Sequence, residues 1–96
     1  MKESSIKNRI IKELSKQGYI HWCPIRNRFA KSDIFTIWDG LFWKGKEIRY
    51  LQWTTVSNRA SHRQKIKNFM QQNEVYMKTE LWCWDDKNKK FVIEII

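Results

Sequence analysis

Residues 39–55, DGLFWKGKEIRYLQWTT, constrain the fold more than any other part of the chain. Trp, Phe, Ile, Tyr and Leu flank Lys44-Gly45-Lys46-Glu47 on both sides, which reads as two strands joined by a tight turn. A two-residue loop at Gly45-Lys46 fits a type II′ turn, which takes glycine at its first central position. That turn sets the register: Lys44 faces Glu47, Trp43 faces Ile48, Leu41 faces Tyr50 and Asp39 faces Gln52. Side chains alternate across a strand, so Asp39, Leu41, Trp43, Ile48, Tyr50, Gln52 and Thr54 fall on one face. That face is apolar near the turn and polar at its open end, an order that solubility alone does not produce. A carboxylate opposite an amide oxygen is an oxygen-ligand pair for a hard divalent ion such as Mg²⁺. A buried Asp–Gln hydrogen bond, with Thr54 filling space, is the packing alternative. Asp33 falls on the same face if the strand runs unbroken from it to Asp39.

The remaining elements follow from period and punctuation. A first helix opens after Ser4 or Ser5, whose hydroxyls suit an N-cap, and carries the apolar stripe Ile6, Ile10, Ile11 and Leu14. Gly18 ends it. Residues 19–24, YIHWCP, read as a strand closed by Pro24, followed by a basic loop with Arg26, Arg28 and Lys31. After the hairpin, VSNRA reads as a polar loop, and Ser61 and Gln64 have the spacing of a capping box opening a second helix that buries Ile66, Phe69 and Met70. ELWCW and KFVIEII make a last hairpin around DDKNKK. FVIEII is so apolar that it reads as a strand buried on both faces or lying at a dimer seam. The fold class is α/β: one domain, residues 1–96, ordered α-β-β-β-α-β-β, with a mixed five-stranded sheet flanked by two helices.

Charge narrows the partners. With 19 Lys plus Arg against 10 acids, the net charge of +9 points to a polyanion, nucleic acid first among them. Arg26, Arg28 and Lys31 precede the hairpin, while Asn58, Arg59, Arg63 and Lys65 follow it into the second helix, whose N-terminal amides favour phosphate. An anionic membrane surface is a weaker candidate, because the charge is spread along the chain. No apolar run approaches the roughly 20 residues of a bilayer span, and the amphipathic start lacks a signal-peptide core, so a cytoplasmic protein is expected. Cys23 and Cys83 read as small buried hydrophobes, since neither they nor His21 and His62 have the close pairing of a zinc site. Most of the six tryptophans fall in strands and read as core, with Trp22 the exposed candidate for base stacking. His62 is a general base by residue type, although a first-turn surface histidine is more often inert.

The order helix, strand, basic loop, Asp-led hairpin and second helix resembles the PD-(D/E)XK nuclease superfamily, nearest to the small archaeal-type Holliday-junction resolvases and their phage-type relatives. Asp39 takes the place of the motif aspartate, and Gln52-Trp53-Thr54 stands where Glu-x-Lys is usual. The resemblance implies a restriction-endonuclease-like fold and a Mg²⁺- or Mn²⁺-dependent DNA endonuclease acting as a homodimer, branched DNA being one substrate class. It implies Asp39, Gln52, Thr54 and Asp33 as catalytic residues, and a metal held by Asp39, the Gln52 oxygen and the Trp53 carbonyl. The chain departs from the pattern in having Thr54 for lysine, Gln52 for glutamate and Lys7 where many resolvase-like members carry a helix glutamate. Lys7, Arg59, Arg63 and Lys65 are the candidates to restore the missing positive charge. Three functions therefore compete: a metal-dependent endonuclease, a nuclease-fold module that binds nucleic acid without cleaving it, and an interaction protein using its tryptophan-rich surface.

Overall fold

A computed structural model describes residues 2–24 and 37–96. Arg26, Arg28, Lys31 and Asp33 lie outside the described residues. The elements are α1 (Glu3–Lys16), β1 (Ile20–Trp22), β2 (Gly40–Lys44), β3 (Glu47–Thr55), a 3₁₀ turn (Val56–Asn58), α2 (Arg59–Asn73), β4 (Thr79–Asp85) and β5 (Lys90–Ile95). The sheet runs β1-β2-β3-β4-β5 in space; β3 and β4 pair in parallel and the other neighbours pair antiparallel. A parallel pair needs a crossover, and α2 supplies it. The order and the mixed five-stranded sheet agree with the sequence.

The central hairpin has the expected register, with Lys44 opposite Glu47, Trp43 opposite Ile48 and Leu41 opposite Tyr50. Gly45 has φ 61°, as the first central residue of a type II′ turn requires. The ladder stops at Gly40 opposite Leu51. Asp39 then donates its amide to the Leu51 carbonyl at 2.8 Å instead of pairing with Gln52.

Alternation sends the two faces of β3 into separate cores. Leu51 and Trp53 join Phe42, Trp82 and Trp84 beneath Ile6, Ile10 and Leu14 of α1. On the other face Leu81 and Cys83 pack with Ile37, Trp38 and the α2 residues Ile66 and Met70, with Tyr50 and Phe69 against them. Burying each large side chain there contributes about 1.5–3 kcal/mol.

Several boundaries differ from the sequence reading. The first helix starts at Glu3, because the Lys2 carbonyl accepts the amides of Ser5 at 3.0 Å and Ile6 at 3.1 Å, closing the first turn without a serine cap. Gly18 does end it, at φ 93°, where Gly18 and Tyr19 return their amides to Ser15 and Leu14. The polar stretch after the hairpin is a 3₁₀ turn running straight into α2, and the Ser61 hydroxyl donates back to the Asn58 carbonyl at 3.0 Å, so Ser61 is not a cap. The last strand is an edge, half open on both faces, with Ile93 and Ile95 exposed; it is not buried on both sides. Trp38, Trp53, Trp82 and Trp84 are buried and Trp22 is exposed, as expected, but Trp43, a strand tryptophan read as core, is exposed beside the hairpin turn. Among the described residues no helix is long and apolar enough to cross a membrane.

Candidate functional site

The polar cluster sits where β3 outruns its neighbour. Leu51 presents its carbonyl to β2, so two residues further on Trp53 presents its own amide and carbonyl to the same edge, past the end of the β2 ladder. The Asp39 carboxylate fills that gap, accepting the Trp53 amide at 2.9 Å on Oδ2. Asp39 is 7% exposed, Gln52 2% and Thr54 8%, so three polar side chains are buried within the turn of chain where packing alone would accept Val or Leu.

Gln52 has both ends of its amide engaged. Its Nε2 donates to the Ile37 carbonyl at 2.5 Å, and its Oε1 lies 2.8 Å from His62 Nδ1. The sequence placed Gln52 against Asp39; the structure places it between the chain leading to Asp39 and the first turn of α2. His62, which the sequence set aside as a surface residue, is half-buried at this junction. Its signal in the sequence was position alone, ten residues after Gln52 on the element that crosses over β3.

The expected cations fall into different settings. Arg59 and Arg63 share one carboxylate: Arg59 Nε donates to Glu94 Oε2 at 3.2 Å, and Arg63 Nε to Glu94 Oε1 at 2.6 Å. The hydrogen bond from Arg63 holds the Glu94 carboxyl below its ordinary range, and the same bond raises the guanidinium. Both arginines keep further N–H donors, because each guanidinium carries five. Lys65 is exposed and lines a groove of about 570 Å³ with Ile37, Ser61, Gln64, Asn68 and Phe69. Asn58 donates to the Thr55 hydroxyl at 3.3 Å in the link between β3 and α2. Lys7 belongs to α1, whose apolar stripe packs on the opposite face of the sheet from His62 and α2. Buried Cys83 is inert, its thiol pushed up to about 11 by burial.

No group of three or more His, Cys, Asp or Glu side chains among the described residues could hold a metal ion. The described residues thus form no protein cage. They do fit the looser manner of Mg²⁺, which is often held by one or two carboxylates together with water and substrate phosphate oxygens. Asp39 and the Trp53 carbonyl, both past the end of the β2 ladder, are the oxygens such an ion would use. No protein-family model, no curated protein and no solved structure matches this chain.

Proposed function

We propose that this protein is a DNA endonuclease of the resolvase-like type, working at the end of β3 where Asp39 meets the Trp53 main chain. The observation that carries the reading is the Asp39 carboxylate, buried at 7% exposure and seated on the Trp53 amide at the edge where the antiparallel hairpin ends and the parallel β3–β4 pair continues. The carboxyl ends of parallel strands are where α/β sheets hold ligands. The topology supports it too: a mixed five-stranded sheet flanked by two helices is the arrangement the PD-(D/E)XK resemblance implies.

Asp39 would hold the cation, with the Trp53 carbonyl as a second oxygen. When bound, a Mg²⁺ or Mn²⁺ ion supplies an activated water and neutralises charge on the scissile phosphate. Arg63 and Lys65, with the amides opening α2, hold the phosphate backbone without reading sequence. The net charge of +9 draws the polyanion in. A homodimer belongs to the same reading, since branched DNA presents equivalent strands to paired sites.

A second reading, nucleic-acid binding without cleavage, is favoured by Thr54. It is buried and uncharged where the family pattern has a lysine. One experiment separates the two. Labelled four-way-junction, duplex and single-stranded DNA are incubated with protein in Mg²⁺ or Mn²⁺, beside an EDTA lane and Asp39→Asn. Metal-dependent cleavage lost in Asp39→Asn establishes the nuclease. Salt-sensitive band shifts without cleavage establish the binding module, and neither result would turn attention to protein partners.

A further inference from the structure

We propose that Gln52 is a positioning residue, an amide clamp that ties the chain leading into Asp39 and the first turn of α2 to β3, and not a ligand of the cation. The inference rests on the nuclease reading of the same site. Its starting point is a donor–acceptor count. The Ile37 carbonyl can only accept, so the Gln52 group 2.5 Å from it is the NH₂. The amide oxygen therefore faces His62, and a ring nitrogen 2.8 Å from an acceptor must carry a proton. His62 is thus fixed with its proton on Nδ1, and Nε2 is the nitrogen that bears the lone pair of the neutral ring.

One end of the clamp lies next to the site. Ile37 is separated from Asp39 only by Trp38, and the Asp39 carboxylate is itself seated on the next β3 residue, Trp53. Consecutive β3 residues therefore grip the same short segment, one through a side chain and one through a main-chain amide. The other end of Gln52 grips α2 three residues after its start at Arg59. Only an amide serves both ends. A glutamate would accept from His62 but would set a carboxylate oxygen against the Ile37 carbonyl oxygen. The glutamine that looks like a weakened metal ligand in sequence is, in this chain, the group that the local geometry requires.

The test uses the full chain labelled with ¹⁵N-histidine. The protein has two histidines, so a His21→Gln sample assigns the signals. At a pH where the rings are neutral, His62 is expected to show a protonated Nδ1 and an unprotonated Nε2, opposite to the preference of a free histidine side chain. Gln52→Met, similar in bulk but without the amide's donor and acceptor, is expected to return the ring to the pattern of a free histidine side chain. Gln52→Glu is expected to melt lower than wild type and to leave Mn²⁺ affinity, read by paramagnetic resonance, unimproved. An unprotonated Nδ1 in the wild type overturns the clamp. So does Gln52→Glu binding Mn²⁺ roughly tenfold more tightly or better, the scale on which the surroundings of a metal site usually act. Absence of wild-type cleavage would instead overturn the nuclease reading, and the ring spectrum and Mn²⁺ titration would still decide the clamp.

Discussion

Replacing Arg49 by methionine tests how much of the fold hangs on one ion pair. Arg49 of β3 and Glu80 of β4 meet in a two-pronged contact on the face of the sheet that α1 covers, with Nε to Oε2 at 2.7 Å and a terminal guanidinium nitrogen to Oε1 at 2.5 Å. Side-chain exposure is 19% for the arginine and 7% for the glutamate. The guanidinium also lies over the rings of Tyr19 at 5.2 Å and Trp82 at 5.9 Å. Methionine keeps most of the stem packing and leaves the Glu80 carboxylate in place, with the Trp82 indole still donating at 3.2 Å. Stranding one partner of a buried pair costs about 3–5 kcal/mol; the partly open arginine end puts this site at roughly 2–3 kcal/mol. For a chain of this size that lowers the melting temperature by about 10–20 °C.

The pH dependence gives the sign. Burial pushes the Glu80 carboxyl up, but the bonds from Arg49 and Trp82 outweigh it and hold the carboxyl below its ordinary value. A depressed folded-state value contributes stability that is complete above the unfolded carboxyl range and is lost as pH falls through the depressed value. Without Arg49 burial dominates, so the variant's carboxyl titrates high and its stability rises on acidification. The gap between wild type and Arg49→Met should therefore be widest near neutrality and close below about pH 4, in urea melts stepped down from pH 7. Arg49→Met combined with Glu80→Leu should recover most of the loss, since an apolar pair replaces a buried ionic one at little cost. A neutral-pH difference under about 1 kcal/mol, or one that does not change with pH, would refute the reasoning.

Three further outcomes follow from the geometry. Asp39→Ala should cost about 1–3 kcal/mol by orphaning the Trp53 amide, whereas Asp39→Asn keeps an acceptor and should cost about half as much; equal losses in urea melts would argue against the cap. The Trp53 indole nitrogen is buried and has no partner among the described residues, while that of Trp82 donates to Glu80. Trp82→Phe should accordingly destabilise by about 1 kcal/mol more than Trp53→Phe in the same assay. Lys65→Gln should weaken DNA binding evenly across sequences and reduce the slope of log affinity against log salt by about 1, and an unchanged slope would remove Lys65 from the phosphate contacts.

The sheet was legible because its instructions are local. A glycine at the right place in a two-residue turn fixed the hairpin, and period-two alternation then sent Phe42, Leu51 and Trp53 to one face and Tyr50, Gln52 and Thr54 to the other. Helix starts were less legible. At Lys2 and again at Asn58 no side chain caps the helix, and the chain enters through main-chain bonds that leave no mark in residue choice. The end of the β2 ladder was misplaced for a related reason. Alternation continues in the sequence through Asp39, but the amide there turns to Leu51. The polar cluster was visible as an anomaly, yet its wiring was not, because the partners of Gln52 are a main-chain carbonyl 15 residues before it and a helix residue 10 after it.

The polarity at the open end of the hairpin has a mechanical cause before it has a functional one. β3 spans Glu47–Thr55, but its ladder with β2 ends at Leu51, while on its other side β4 stays paired through Thr55. Beyond Leu51 β3 has left the β2 ladder, and the buried main-chain groups on that side must find other partners. Asp39 answers that need for Trp53, and a packing account can stop there. It does not reach Gln52. Side-chain alternation turns Gln52 to the α2 face, beside Leu81 of β4 in the row that ends at Glu94 of β5, where a leucine would join Leu81 and Ile66 in the apolar core. Burying a primary amide there is favourable only because both its ends are met, and one of those ends is a histidine ring. Holding an ionisable ring against a buried glutamine adds nothing to packing that an apolar side chain would not supply. The pairing of Gln52 with His62 is what separates a site from a strand end, and the ring spectrum of His62 is where that separation is read.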